Sequence, residues 1–157
     1  MTSEVFINKD FTVSVSGHRE LYTDFDRDKL KDVFIKLIES GVDTFLIGMA
    51  LGFDTECFHI LEELKSDYNL RIIACIPCQT QSYKFNVKQK SEYERMLNLA
   101  DEKVYVSREY TPYCMMKRNR FMVDNSRVLV CYLRKASGGT FNTYKYAKNK
   151  DLPIIKL

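Results

Sequence analysis

Thr44-Phe45-Leu46-Ile47-Gly48-Met49-Ala50-Leu51-Gly52-Phe53-Asp54 decides how this chain folds. Four residues, Thr44 to Ile47, are short, apolar and β-prone, as a buried strand requires. Two glycines then bracket a turn. Beyond it Cys57, Ile60, Leu61 and Leu64 recur at helical spacing, while Glu62, Glu63 and Lys65 stay on the wet side. Strand, glycine turn and helix in this order make half of a parallel crossover unit. Glycine lets backbone approach a ligand closely, and the first helical turn offers unpaired N–H groups with a positive dipole end.

The same grammar occurs twice more. Phe11 to Val15 leads into Ser16-Gly17-His18-Arg19, and the apolar run Val128 to Leu133 leads into Ser137-Gly138-Gly139-Thr140. Three such turns at the carboxyl ends of parallel strands converge on one crevice, where open α/β sheets bind their ligands. A nucleotide or another phosphorylated small molecule is the expected occupant.

Between these landmarks the pattern keeps alternating. Leu30, Val33, Phe34, Leu37 and Ile38 predict an amphipathic helix, with Asp26 and Asp28 at its positive start and Gly41 at its stop. Arg71 to Ile76 reads as a strand and Gln79 to Val87 as a loop. Tyr93, Met96, Leu97 and Ala100 mark a helix, and Lys103 to Val106 a short strand. Thr111-Pro112 predicts a helix start, because proline at the first helical position loses no needed N–H. A helix from Thr140 to about Asn149 and a strand from Pro153 to Leu157 close the chain. One domain over residues 1–157, a doubly wound and mainly parallel sheet, is the fold class this predicts.

Composition narrows the function. The 157 residues are 45% hydrophobic and 29% charged, ordinary for a globular domain. No run approaches a membrane span, and Met1 to Asp10 lacks a signal-peptide apolar stretch, so the expectation is a cytoplasmic protein without membrane contact. The net charge of +3 comes from 24 basic and 21 acidic residues interleaved along the sequence. Such a mixture predicts a solvated surface and no dedicated nucleic-acid stripe. Five cysteines, an odd number on predicted core elements, fit reduced thiols.

Candidate ligand-binding residues follow from the turns. Gly138, Gly139 and Thr140 form the strongest phosphate site, with hydroxyls from Thr140 and Thr143 in the first helical turn. Arg19 suits a bidentate contact with phosphate or carboxylate. His18 either donates to the same group, serves as an acid–base, or is one half of a surface pair. Asp54 presents a choice: it is an N-cap, or it accepts from ribose hydroxyls. Glu56 shares that ambiguity. On the helix from Pro112 to Ser126, Met115, Met122, Val123 and Ser126 define the predicted inward face, with Asn119 in its middle and Arg118 toward one edge. Arg120 and Asp124 fall on the polar face, as a surface or subunit-contact pair. Cys75-Ile76-Pro77-Cys78 has redox or zinc-half-site spacing. Only His18 and His59 could complete a metal set, and His59 is expected exposed, so no metal or cofactor is predicted.

Taken together, Ser16-Gly17-His18-Arg19, Gly48-Met49-Ala50-Leu51-Gly52-Phe53-Asp54, Arg118-Asn119-Arg120-Phe121-Met122-Val123-Asp124-Asn125-Ser126 and Ser137-Gly138-Gly139-Thr140 resemble the YpsA-like branch of the SMF/DprA-LOG (SLOG) superfamily. The resemblance spans about Thr12 to Ile155. It implies a Rossmann-like fold, a nucleotide-type pocket at the strand ends and self-association into a homo-oligomer. The implied pocket uses Gly17, His18, Arg19, Gly48, Gly52, Asp54, Arg118, Asn119, Gly138, Gly139 and Thr140. The LOG enzymes, which split the N-glycosidic bond of nucleoside monophosphates, carry Pro-Gly-Gly-x-Gly-Thr-x-x-Glu. Here Ser137 replaces the proline, Phe141 stands at the later glycine, and Tyr144 and Lys145 supply no glutamate. The leading expectation is therefore a protein that binds or senses a nucleotide derivative (ADP-ribose-like, NAD-related or cyclic). The alternative is a phosphoribohydrolase or related nucleotide hydrolase, with Asp54, Glu56 or His18 in catalysis.

Overall fold

The computed structural model describes residues 5–157. After a short 3-10 turn come β1 (Thr12–Gly17), α1 (Arg27–Glu39), β2 (Thr44–Ile47), α2 (Phe53–Leu64), β3 (Arg71–Ile76) and α3 (Val87–Leu99). β4 (Glu102–Tyr105), α4 (Cys114–Asp124), β5 (Val128–Tyr132), α5 (Gly139–Asn149) and β6 (Ile154–Lys156) complete the order. All six strands pair in parallel, in the order β4-β3-β2-β1-β5-β6. The chain moves outward from β1 to β4, then returns to the far side of β1. The sheet thus reverses direction between β1 and β5, and a crevice opens beyond the carboxyl ends of those two strands.

Strand periodicity decides which helices cover which face. Val13, Val15, Phe45, Ile47, Ile72 and Ala74 point to one side, where Leu30, Phe34, Phe58, Leu61 and Met96 of α1, α2 and α3 seal them. Leu46, Ile73, Cys75, Leu129 and Cys131 point to the other, against Met122, Val123 and Ala147 of α4 and α5. Ser14 shares that second face and is fully buried; the Ser126 hydroxyl bonds to it at 2.8 Å, so a polar strand residue meets a polar residue just beyond the end of α4.

Several boundaries differ from the sequence-based expectation, each for a local reason. β1 runs on through Ser16 and Gly17, because both stay paired with β5. Pro112 does not open α4. The Cys114 N–H bonds to the Thr111 carbonyl, so Pro112 occupies the second position of a turn and the helix begins two residues later. α3 starts at Val87 under a capping box: the Asn86 side chain accepts from the Gln89 N–H, while the Gln89 side chain accepts from the Asn86 N–H. Of the two aspartates expected at the positive start of α1, Asp26 is the N-cap, accepting from the Lys29 N–H, and Asp28 lies in the first turn; Gly41 follows the helix at φ +115°.

Candidate functional site

The β1–β5 crevice is a cleft of about 980 Å³. Its walls come from the end of β1 and the segment after it (Ser16 to Tyr22), the turn into α2 and its first residues (Ala50 to Glu56, Phe53 excepted), the loop into α5 and its start (Lys135 and Ser137 to Thr140), and Gln89 of α3 with Met115, Arg118 and Asn119 of α4. Every residue expected at the site lines it except Gly48, which lies beneath it.

The glycines divide by what surrounds them. A Cβ on Gly17 would drive into the Phe53 ring, and one on Gly52 would strike the backbone carbonyl of Arg19. Gly52 also sits at φ +82°, where side chains are strained. A Cβ on Gly48 would fall 2.8 Å from Arg118 Nη1 and 3.0 Å from Asp54 Oδ2. These three glycines are required by the protein's own packing. At Gly138 and Gly139, by contrast, an added methyl would find nothing within 4 Å. Gly138 still needs its φ of +91°, but Gly139 has neither a conformational nor a steric reason of its own.

The two helix starts at the cleft differ in the same sense. The first N–H of α2 is already bonded to the His18 carbonyl at 3.0 Å, and the buried Asp54 carboxylate stands in its first turn. α5 begins at Gly139 with no side-chain cap and no acidic residue in its first turn. Its early N–H groups therefore face the cleft uncapped. Thr140 is buried and lines the cleft, and among the described residues its hydroxyl has no hydrogen-bond partner. Thr143, expected as a second donor, bonds instead to the Gly139 carbonyl at 2.9 Å within the helix.

Asp54 is not the N-cap of α2, a position that Gly52 holds. It is the second residue of α2, 7% exposed, and its Oδ2 accepts from the Ala50 N–H at 3.1 Å. Burial raises its carboxyl from the ordinary 3.8 to about 6, against the opposing pull of the Arg118 charge and the Ala50 N–H. Glu56 lies at the cleft margin, 3.7 Å from Arg27 Nε.

On α4 the predicted inward face is rotated. Met115 is 37% exposed, whereas Arg118 is 4% exposed and lies in the row Cys114–Arg118–Met122 that faces the sheet. Its guanidinium bonds the Gly48 carbonyl at the end of β2 and the Cys75 carbonyl of β3 (3.2 Å), while Nε donates to Asn119 Oδ1 at 2.8 Å. Asn119, placed mid-stripe by the sequence, sits at the half-buried margin and orients Arg118. Burial lowers the Arg118 pKa, chiefly by desolvation. Gln81, a residue the sequence does not single out, bonds the same Gly48 carbonyl at 3.0 Å and is held by the Tyr93 hydroxyl at 2.9 Å.

His18 is 8% exposed, and its Nε2 accepts from the Arg134 N–H at 2.8 Å, latching the end of β1 to the chain leaving β5. Burial, with the charges of Lys135 and Arg134, holds its pKa below the usual histidine value. Arg134 itself is engaged by Asp24 (2.7 Å) and by the Leu157 carbonyl (2.8 Å). Arg19 and Lys135 are exposed on the rim and have no ion-pair partner among the described residues. No motif announces Lys135, which follows an apolar strand in an ordinary loop.

The remaining candidates lie elsewhere. His59 is half-buried, not exposed, and meets Glu92 at 2.6 Å between α2 and α3. Cys75 and Cys78 are separate buried thiols, and burial pushes Cys75 up to about 12. Arg120 and Asp124 do not pair directly but meet through Tyr146: Arg120 stacks on its ring at 4.9 Å and its hydroxyl bonds Asp124 at 2.8 Å.

Comparisons with known proteins agree with this architecture. In the solved structures, DNA processing protein A from Streptococcus pneumoniae superposes with a TM-score of 0.64 at 15% identity, over 91% of this chain and 48% of that one. The Helicobacter pylori protein, whose single-stranded DNA binding mode has been described, gives 0.63 at 16%, over 92% and 63%. This chain thus spans about half to two thirds of those proteins, and the likeness is one of fold. In sequence, the uncharacterized SPbeta prophage-derived protein YoqJ of Bacillus subtilis is 34% identical over 144 residues, 79% of this chain and 83% of that protein. The UPF0398 protein SPs0474 of Streptococcus pyogenes is 22% identical over 95% of this chain and 86% of its own length. The family model described as the YspA SLOG family matches residues 10–153. The chain belongs to that family, the YpsA branch of the SLOG proteins.

Proposed function

We propose that the cleft binds a nucleotide derivative, with a phosphate seated on the uncapped start of α5. The observation that carries this is Gly139: a residue with open space around it and ordinary backbone needs, at a helix start free of acidic side chains. A close-approaching anion supplies the reason for glycine that the fold does not. The Thr140 hydroxyl and the rim cations Arg19 and Lys135 add donors to the same group. Sugar and base extend toward Leu51, Thr55 and Met115 on the opposite wall. Membership in a SLOG family agrees with a nucleotide-related role.

The second reading is hydrolysis of the bound nucleotide, and one observation favours it: a cleft-lining carboxyl, Asp54, raised to about 6. The test is chromatography of a panel (AMP, NAD, ADP-ribose and cyclic nucleotides) incubated with excess protein, filtered and heat-released. Intact recovery of one nucleotide, lost in Gly139→Asp, is the expected result. Wild-type retention by Gly139→Asp would remove the phosphate from α5. Recovery as free base and ribose phosphate, abolished in Asp54→Asn, would make the protein an enzyme.

A further inference from the structure

The chain carries +3 overall, yet that charge is not spread through the fold. From Gly139 to Leu157 there are four lysines and one aspartate, which is +3; the other 138 residues hold 20 basic and 20 acidic side chains and are neutral. The whole excess therefore lies on α5 and β6, at the sheet edge away from β4.

On this edge the lysines are laid over aromatic rings. Lys148 of α5 and Lys156 of β6 both lie over Tyr144, with Nζ 5.6 and 5.4 Å from the ring centre. Lys145 lies 4.9 Å over Phe141, one turn earlier, and the Phe141 and Tyr144 rings are near-parallel at 23° with centres 6.5 Å apart. Tyr144, Lys148 and Lys156 line a groove of about 380 Å³. Two carboxylates are nearby: Asp151 at the groove margin, and Asp124, 3.7 Å from Lys150. Three lysines remain for an outside partner.

We propose that this edge binds single-stranded nucleic acid. Phosphates take the place of the rings as partners of Lys145, Lys148 and Lys156, and bases stack on the faces the ammonium groups vacate, a combination that suits a flexible strand and no particular sequence. The surface is separate from the cleft and does not depend on what the cleft holds.

Fluorescence anisotropy with a labelled twenty-nucleotide oligo-dT and the full chain tests it. Three phosphate contacts predict about a 20-fold loss of affinity between 50 and 200 mM salt. Lys148→Glu/Lys156→Glu should lose at least tenfold at 50 mM salt, as should the Gln double variant if charge reversal prevents folding, while Gly139→Asp binds as wild type does. An abasic oligonucleotide of equal length should bind at least tenfold more weakly. Wild-type affinity in the lysine variants, equal affinity for the abasic strand, or loss of binding in Gly139→Asp would each overturn the proposal. So would binding to anionic phospholipid vesicles without binding to oligo-dT.

Discussion

At the scale of single residues, glycine at the cleft has two meanings that composition cannot separate. Gly52→Ala meets the Arg19 carbonyl at a positive φ and is expected to destabilise the fold by more than about 1 kcal/mol in urea unfolding. Gly139→Ala should leave the unfolding midpoint unchanged and weaken nucleotide binding at least tenfold; a shifted midpoint would make Gly139 a packing residue like Gly17, Gly48 and Gly52. The sequence draws all five glycines toward one crevice, but only the surrounding atoms tell them apart. Asp54 carries a pH signature. Its carboxyl holds a proton more tightly folded than unfolded, so its contribution to stability is complete below about pH 4 and lost as pH rises through about 6. The gap from 3.8 to about 6 corresponds to about 3 kcal/mol. Unfolding free energies of wild type and Asp54→Asn should therefore diverge in slope between pH 4 and 6.5, and parallel curves would show a solvated carboxyl.

At the scale of elements, apolar runs and periodicity locate the six strands and α1 to α3, turn residues point to α4 and α5, and the apolar pattern misleads where a polar side chain holds the structure together. On α4 the buried row contains an arginine, Arg118, which the apolar pattern places only at one edge of the inward stripe. That arginine bonds carbonyls contributed by the end of β2 and by β3, partners that no local window contains. The start of α3 is written in Asn86 and Gln89, three residues apart, but the loop-like run before them hides it. Asn86→Ala breaks the cap and should cost about 1 kcal/mol, lowering Tm by about 2–4 °C. A Tm unchanged within error would mean that packing of Tyr93 and Met96 alone sets the helix start.

At the scale of the whole molecule, a doubly wound parallel sheet follows from the sequence, while the strand order and the gathering of charge at one sheet edge come from the fold. Acids and bases balance over the first 138 residues, the last 19 hold four lysines against one aspartate, and the fold sets α5 and β6 together at one sheet edge. No helix among the described residues is long and apolar enough to cross a membrane. Because the cleft joins segments following β1, β2 and β5 to α4, an occupant stabilises the domain as a unit. A ligand at one hundred times its Kd adds about 2.7 kcal/mol, which should raise Tm by roughly 5–10 °C, and a nucleotide that raises nothing at that excess is not the ligand.

The latch between His18 and the Arg134 N–H has a consequence for selectivity. A ring nitrogen that accepts this bond cannot carry the proton, so the neutral imidazole must keep its hydrogen on Nδ1. That nitrogen has no other partner among the described residues, and His18 lines the cleft. The folded backbone thus chooses the tautomer before any ligand arrives. Wherever the imidazole meets its guest, it offers a hydrogen and asks for a lone pair. Oxygen-rich molecules satisfy that demand, and a molecule presenting an ammonium group at the same point is refused.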